Sequence, residues 1–222
     1  YQFFLDHIHL LFLILQQDAL AAVPETYYTA FGSLTQGLML KADDTLLVRG
    51  ATSTVGQAAI QLAKALGATV IATSRRQEAF DELKAIGADL CTVDDGNISS
   101  QQLELQPNKV LELIGPKTLH DSMQTVIRPG YVCNTGILAG VYSIPNFYPL
   151  KDIPCGVFLT GFHSNFPTET AIRSLFDLIK EKNIRPLYRK VFTLDDIAEA
   201  HTLLEKGNAG GKIILKVNQQ DT

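Results

Sequence analysis

The sequence predicts an α/β fold built on a doubly wound parallel sheet, with an apolar segment before it and a helix–strand tail after it. Three observations lead there. Short apolar and β-branched runs, such as 46–48, 69–73 and 110–113, alternate with segments whose apolar residues recur every three or four positions. Glycine or proline stands where the period changes, as at Gly50, Gly67, Gly87 and Gly115-Pro116. The best-defined unit, residues 45–76, reads strand, glycine-bounded turn, helix and strand, the unit from which parallel sheets are assembled.

The chain has 222 residues, 46% hydrophobic and 19% charged, with a net charge of −4. That composition suits a globular domain with a large core. It offers no basic surplus for a nucleic-acid partner. Cys91, Cys133 and Cys155 are odd in number and far apart, which argues against a disulfide framework or a structural zinc site and fits a reducing cytoplasm. Cys91 and Cys133 fall in apolar strand patterns and read as core residues.

Residues 1–22 stand apart as a first, atypical segment. The run 8–15 is almost wholly apolar but too short to span a bilayer, so no membrane role is expected. It has no basic leader of the secretory kind. His7 and His9 have no companion ligands for a metal. Phe3, Phe4 and the residues 10–14 need cover, either from a second copy of the chain or from the chain's own core.

A second segment, 23–185, carries the sheet. Residues 24–38 read as a helix, with Pro24 in the first turn and Tyr27, Tyr28, Phe31 and Leu34 at helical spacing. Tyr27 or Tyr28 is a candidate proton donor, although a buried, satisfied hydroxyl is the commoner role. After the first strand, a helix starts near Val55, with Ala59, Leu62, Ala63 and Leu66 on one face and Gly67 at its end. A helix over 77–86 turns Phe80, Leu83 and Ile86 inward, and strands follow at 90–93 and 110–113. The next helix has Leu119, Met123 and Val126 on one face, before strands at 131–134 and 157–160. Thr168 is a candidate cap for a helix carrying Ile172, Leu175, Phe176 and Ile179. In the tail, 186–222, Thr193 and Asp196 form a box-like start to a helix whose Ile197, Leu203 and Leu204 point inward. A last strand covers 212–217, Lys212 reads as solvated, and the end from Asn218 is expected to fray.

The chemistry suggested by the first βα turn is phosphate binding. A helix's first turn has backbone N–H groups without intrahelical partners, and the helix dipole adds partial positive charge. Thr52, Ser53, Thr54, Val55 and Gly56 occupy that position, and Gly56 has no Cβ to keep a pyrophosphate away. The turn is GATSTVG, not the full GxGxxG fingerprint. An NAD-selective site places Asp or Glu about twenty residues after the turn. Here Ser74, Arg75 and Arg76 stand there, a donor and two guanidinium groups suited to a 2′-phosphate, so the cofactor expected is NADP(H). Thr135, Gly136 and Ile137 follow a strand's carboxyl end, where open α/β sheets bind ligands.

RGATSTVGQAAIQLAKALGATVIATSRR, followed by LKAIGAD, resembles the cofactor domain of the medium-chain dehydrogenase/reductase superfamily. The blocks VPETYYTAFGSL, KVLELIGPKTL, RPGYVCNTGILAG and FTLDDIAEAHTLLEKGNAGGKIIL match that family in order, over about residues 21–217. The pattern is most similar to the zinc-independent, quinone oxidoreductase-like branch. Ser53-Thr54 departs from the Gly-Gly that the branch often has. The resemblance implies a Rossmann domain, with Thr29 close to the nicotinamide and Thr135–Ile137 beside its carboxamide. It also implies hydride transfer from NADPH to a quinone, enone or similar carbonyl compound, and a homodimer. Relatives carry a mostly β catalytic domain ahead of the interdomain helix, and the lack of a match to it here leaves a non-catalytic NADPH-binding module, or the truncated cofactor half of such an enzyme, as the alternative. Glu25 falls near a metal ligand of zinc-dependent relatives, but its partner ligands would lie in that other domain.

Overall fold

The computed structural model describes residues 17–165, 167–207 and 209–217. The run 8–15, His7, His9 and the end from Asn218 lie outside the described residues, as does the cover expected for that run. Helix α1 (Gln17–Ala21) leads to α2 (Thr26–Gly32), which passes into a π-helical turn, Ser33–Gly37. The helix expected over 24–38 is therefore two pieces. Its start is delayed because Glu25 has φ 65° and caps nothing with its side chain. Its last part is widened where the hydroxyls of Ser33 and Thr35 donate back to the carbonyls of Thr29 and Phe31, at 2.7 and 2.8 Å.

Six strands form the main sheet: β1 (Thr45–Arg49), β2 (Thr69–Ser74), β3 (Leu90–Val93), β4 (Lys109–Glu112), β5 (Gly130–Asn134) and β6 (Val157–Gly161). Their order is β3-β2-β1-β4-β5-β6, with every pair parallel. The crossovers carry α3 (Thr54–Ala65), α4 (Phe80–Ala85), α5 (Leu119–Thr125) and α6 (Pro149–Asp152), and α7 (Glu169–Glu181) follows β6. Side chains alternate between two cores, as a doubly wound sheet requires. Leu46, Val48, Val70 and Ala72 face α2, α3 and α7, while Leu47, Ile71, Val110 and Val132 face Leu119, Met123 and Val126 around α5. The direction of winding reverses between β1 and β4, so a crevice opens at the carboxyl ends of those strands.

The tail differs from expectation. Strand β7 (Lys190–Thr193) pairs in parallel with β8 (Ile213–Lys216) as a separate two-stranded sheet, with α8 (Ile197–Glu205) between them. Four residues are too few for periodicity to distinguish β7 from loop. Thr193 does not cap a backbone N–H; its hydroxyl donates to the Asp196 carboxylate at 2.8 Å, and a 3₁₀ turn precedes α8. Ile197 and Leu204 are exposed, not inward, because α8 turns only Ala200 fully into the interior. At α7 the expectation holds: Thr168 Oγ1 accepts from the Ala171 N–H at 3.2 Å.

Candidate functional site

Three segments meet at the carboxyl edge of the sheet. The first is the turn from β1 to α3. Gly50 has φ 85°, which favours glycine. Ser53 is the N-cap: its Oγ accepts from the Gly56 N–H at 3.1 Å and donates to the Gly50 carbonyl at 2.9 Å. The Ser53 carbonyl takes the Gln57 N–H at 2.9 Å. Among the described residues, the N–H groups of Thr54 and Val55 are the first-turn donors left without partners. Gly56 is required for another reason. A Cβ there would lie 2.6 Å from the Gly50 oxygen and 2.7 Å from the Ala51 Cα. Gly56 thus allows close helix–strand packing, and the cap has already taken its own N–H. Thr52, Ser53, Thr54 and Val55 are half-buried around the opening.

The end of β2 is tied to this turn. The N–H groups of Gly50 and Ala51 donate to Thr73 Oγ1 and the Thr73 carbonyl, at 3.4 and 3.3 Å. Ser74 is buried and its Oγ accepts from the Arg76 N–H at 3.1 Å, while Arg75 and Arg76 are exposed. Neither arginine forms an ion pair with a described residue.

The third segment follows β5. The N–H groups of Thr135 and Gly136 both donate to the Glu112 carbonyl, at 3.0 and 3.2 Å, and Leu138 N–H donates to the Leu113 carbonyl at 3.0 Å. The Ile137 N–H between them has no partner among the described residues. Gly136 is packed so closely that a Cβ would lie 2.2 Å from the Leu113 oxygen. Thr135 Oγ1 donates to Ser33 Oγ at 2.8 Å, since the Ser33 proton is committed to the Thr29 carbonyl. Thr29 therefore reaches β5 through Ser33, which sequence reasoning missed. The Thr29 hydroxyl donates to Glu25 at 3.1 Å, and Ser164 donates to the same carboxylate oxygen at 2.6 Å. So Thr29 and Thr135–Ile137 are brought together on the β4–β5 side of the turn, and Ser74–Arg76 stand on the β2 side.

Beneath the turn lies a polar row that the sequence did not reveal. Thr92, Thr73, Arg49, Glu112 and Asn134 are neighbours by strand pairing from β3 to β5 or, for Thr73 and Arg49, by the next step of the β1–β2 register. Arg49 is completely buried. Its Nε and one terminal nitrogen each donate to Asp94 at 2.9 Å, and the other donates to Asp121 at 2.6 Å, Ser122 at 3.1 Å and the Thr118 carbonyl at 3.2 Å. Burial opposes the charge on Arg49, but Asp94, Glu112 and Asp121 outweigh it and raise the guanidinium pKa. Burial pushes the Glu112 carboxyl up, although it accepts from Gly115 N–H at 2.9 Å and Thr118 Oγ1 at 3.0 Å. The buried Asn134 side-chain oxygen has no partner among the described residues. The one available signal was an arginine closing an apolar central strand, since a lone buried cation must find carboxylates.

Three other residues resolve differently. The Tyr27 hydroxyl donates to Gln61 at 2.5 Å and accepts from Leu187 N–H at 2.8 Å, and burial pushes its pKa up to about 12. It is a structural bolt between α2, α3 and the approach to β7. Tyr28 packs edge-on against Phe162, with ring centroids 6.0 Å apart. Lys212 is half-buried rather than solvated: its Nζ donates to the Pro24 carbonyl at 2.9 Å and Thr26 Oγ1 at 3.1 Å.

The family model described as zinc-binding dehydrogenase matches residues 66–215. The quinone oxidoreductase-like protein 2 homolog of Nematostella vectensis is 26% identical over 212 residues, covering 90% of this chain and 58% of that protein. The structure of the quinone oxidoreductase from Coxiella burnetii superposes with a TM-score of 0.68 at 26% identity, over 89% of this chain and 60% of that one. The mycobacterial protein Rv1454c complexed with NADPH shares the fold, with a TM-score of 0.75 at 23% identity, over 90% of this chain and 65% of that one. The chain thus spans about three fifths of the length of these relatives, 58–65%.

Proposed function

Because the chain belongs to the zinc-binding dehydrogenase family, within the medium-chain dehydrogenase/reductases, we propose that it binds NADPH in the β1/β4 crevice for reduction of a quinone, enone or related carbonyl compound. The observation that carries this reading is the opening of α3: two unclaimed amides, at the point where the sheet reverses, beside a strand end bearing Ser74, Arg75 and Arg76 and no free carboxylate. The relatives' printed names, quinone oxidoreductase and a complex with NADPH, support it.

The residues fit such a cofactor. Thr54 and Val55 N–H groups, aided by the helix dipole, would hold the pyrophosphate, with the Thr52 and Thr54 side chains at the rim. Ser74, Arg75 and Arg76 would hold the 2′-phosphate. The Ile137 N–H would orient the carboxamide, and the Thr29–Ser33–Thr135 chain would fix that side of the pocket. When bound, NADPH supplies the hydride. The protein's part is positioning: holding one face of the nucleotide against the strand ends and keeping water out. Tyr27 is not a proton donor in this scheme, because its hydroxyl is buried and engaged.

The family's name points to zinc, but the described residues do not fit it. No group of three His, Cys, Asp or Glu side chains converges among them. Glu25 is occupied by two hydroxyls, and no step is derived through a metal. Half-exposed Phe158 on edge strand β6, stacked on Tyr131 at 4.7 Å, supports pairing of two copies along that edge, which light scattering tests as a dimeric mass.

The direct test is calorimetric titration with NADPH and NADH, followed by NADPH oxidation with 9,10-phenanthrenequinone. NADPH should bind more tightly, and Arg75→Ala should weaken it by about ten- to a hundredfold while leaving NADH little changed. Preference for NADH sinks the cofactor assignment. Binding without turnover would favour a non-catalytic module.

A further inference from the structure

We infer that Arg49 sets the site's preference for a 2′-phosphorylated nucleotide by holding the Asp94 carboxylate out of the adenosine pocket. This inference rests on the NADPH reading above.

Asp94 is placed where it would do harm. Ser74 pairs with Val93, and Asp94 follows directly, its N–H donating to the Ser74 carbonyl at 3.0 Å. A free carboxylate beside Ser74 would accept from a ribose 2′-hydroxyl and repel a 2′-phosphate. Yet no acceptor site is left on it. Oδ1 accepts from an Arg49 terminal nitrogen at 2.9 Å and Gly96 N–H at 3.0 Å. Oδ2 accepts from Arg49 Nε at 2.9 Å and Thr73 Oγ1 at 3.2 Å. Those four bonds use the capacity of an ionised carboxylate. The pair is also out of water, with side-chain exposures of 0% for Arg49 and 8% for Asp94.

The guanidinium cannot swing aside, because Asp121 and Ser122 of α5 and the carbonyl of Thr118, just before it, hold its other terminal nitrogen. The neighbouring Asp95 is turned into its own loop, where Oδ1 accepts from Asn97 N–H at 2.9 Å and Gln101 Nε2 at 3.2 Å. The edge of β2 thus presents Ser74 and two arginines, with the carboxylate that directly follows β3 saturated and neutralised. Arg49 is a positioning residue that acts through Asp94.

The test is titration of the full chain with NADPH and with NADH, reading the ratio of the two dissociation constants. Arg49→Lys keeps a cation but loses the two-pronged grip. It should weaken NADPH about tenfold more than NADH, a change of ~1.4 kcal/mol in the difference. Adding Asp94→Asn to Arg49→Lys should restore the ratio, since the exposed charge is then gone. Equal loss of both nucleotides in Arg49→Lys, or a ratio that Asp94→Asn does not restore, overturns the inference. If the Arg49 variants do not fold, Asp94→Asn alone decides it: the preference for NADPH should be kept or widened, and a fall overturns the inference. An unaltered chain that prefers NADH, or binds neither nucleotide, instead overturns the reading on which the inference rests.

Discussion

Buried titratable groups carry the predictions at the scale of single residues. Tyr27→Phe removes one hydroxyl bonded on both sides, so stability should fall by about 1–3 kcal/mol in denaturant melts, with no new step in any pH–rate profile. Asp94 and Glu112 move in opposite directions. Burial tends to raise Asp94, but the Arg49 hydrogen bond and charge outweigh it and leave its pKa below the ordinary value. Its stabilisation is full above the unfolded value of ~3.9 and is lost as pH falls through the lower folded value. Glu112 is raised by burial. Its contribution is full below its unfolded value of ~4.3 and declines as pH climbs through the folded value. Glu112→Gln should therefore gain stability relative to the unaltered chain as pH rises from acid to neutral. Urea melts across that range check this, and a flat difference refutes it.

Individual elements turn on how α3 begins. A Cβ at Gly56 would meet backbone of the preceding turn, which cannot give way as a flexible side chain could. Gly56→Ala should displace the helix start, cost about 1–3 kcal/mol and remove NADPH binding in calorimetry while leaving the circular dichroism spectrum near that of the unaltered chain. Ser53→Ala frees the Gly56 N–H and should cost about 1 kcal/mol in melts. Elements of this kind were readable in the sequence where propensity, spacing and a terminal glycine agreed, as in β1 to β3 and α3. They were not where a backbone angle, a hydroxyl bonded to its own turn or a distant strand overrode the local pattern. The break of the 24–38 helix answers to Glu25's backbone and to hydroxyls of its own turn, and β7 exists because β8, far along the chain, lies beside it.

For the molecule as a whole, alternating periods pointed to a parallel α/β sheet, and the observed strand order places the crevice between β1 and β4. No helix among the described residues is long and apolar enough to cross a membrane. Nucleotide binding should raise the melting temperature, since a ligand at a hundred times its dissociation constant adds ~2.7 kcal/mol; thermal scans with and without NADPH check this. The candidate site was legible in part. Local pattern pointed to Thr52–Gly56, Ser74–Arg76 and Thr135–Ile137 as candidates, but not to Arg49 and its acids, because nothing local joins groups separated by 45 to 72 positions. That separation bears on how the chain acquires its shape. Arg49 ends β1 and Asp94 directly follows β3, whereas Asp121, Ser122 and the Thr118 carbonyl come from the second winding. A nascent chain stopped after β3 would enclose a cation with two of its five hydrogen bonds, so the two windings are expected to consolidate together rather than one after the other.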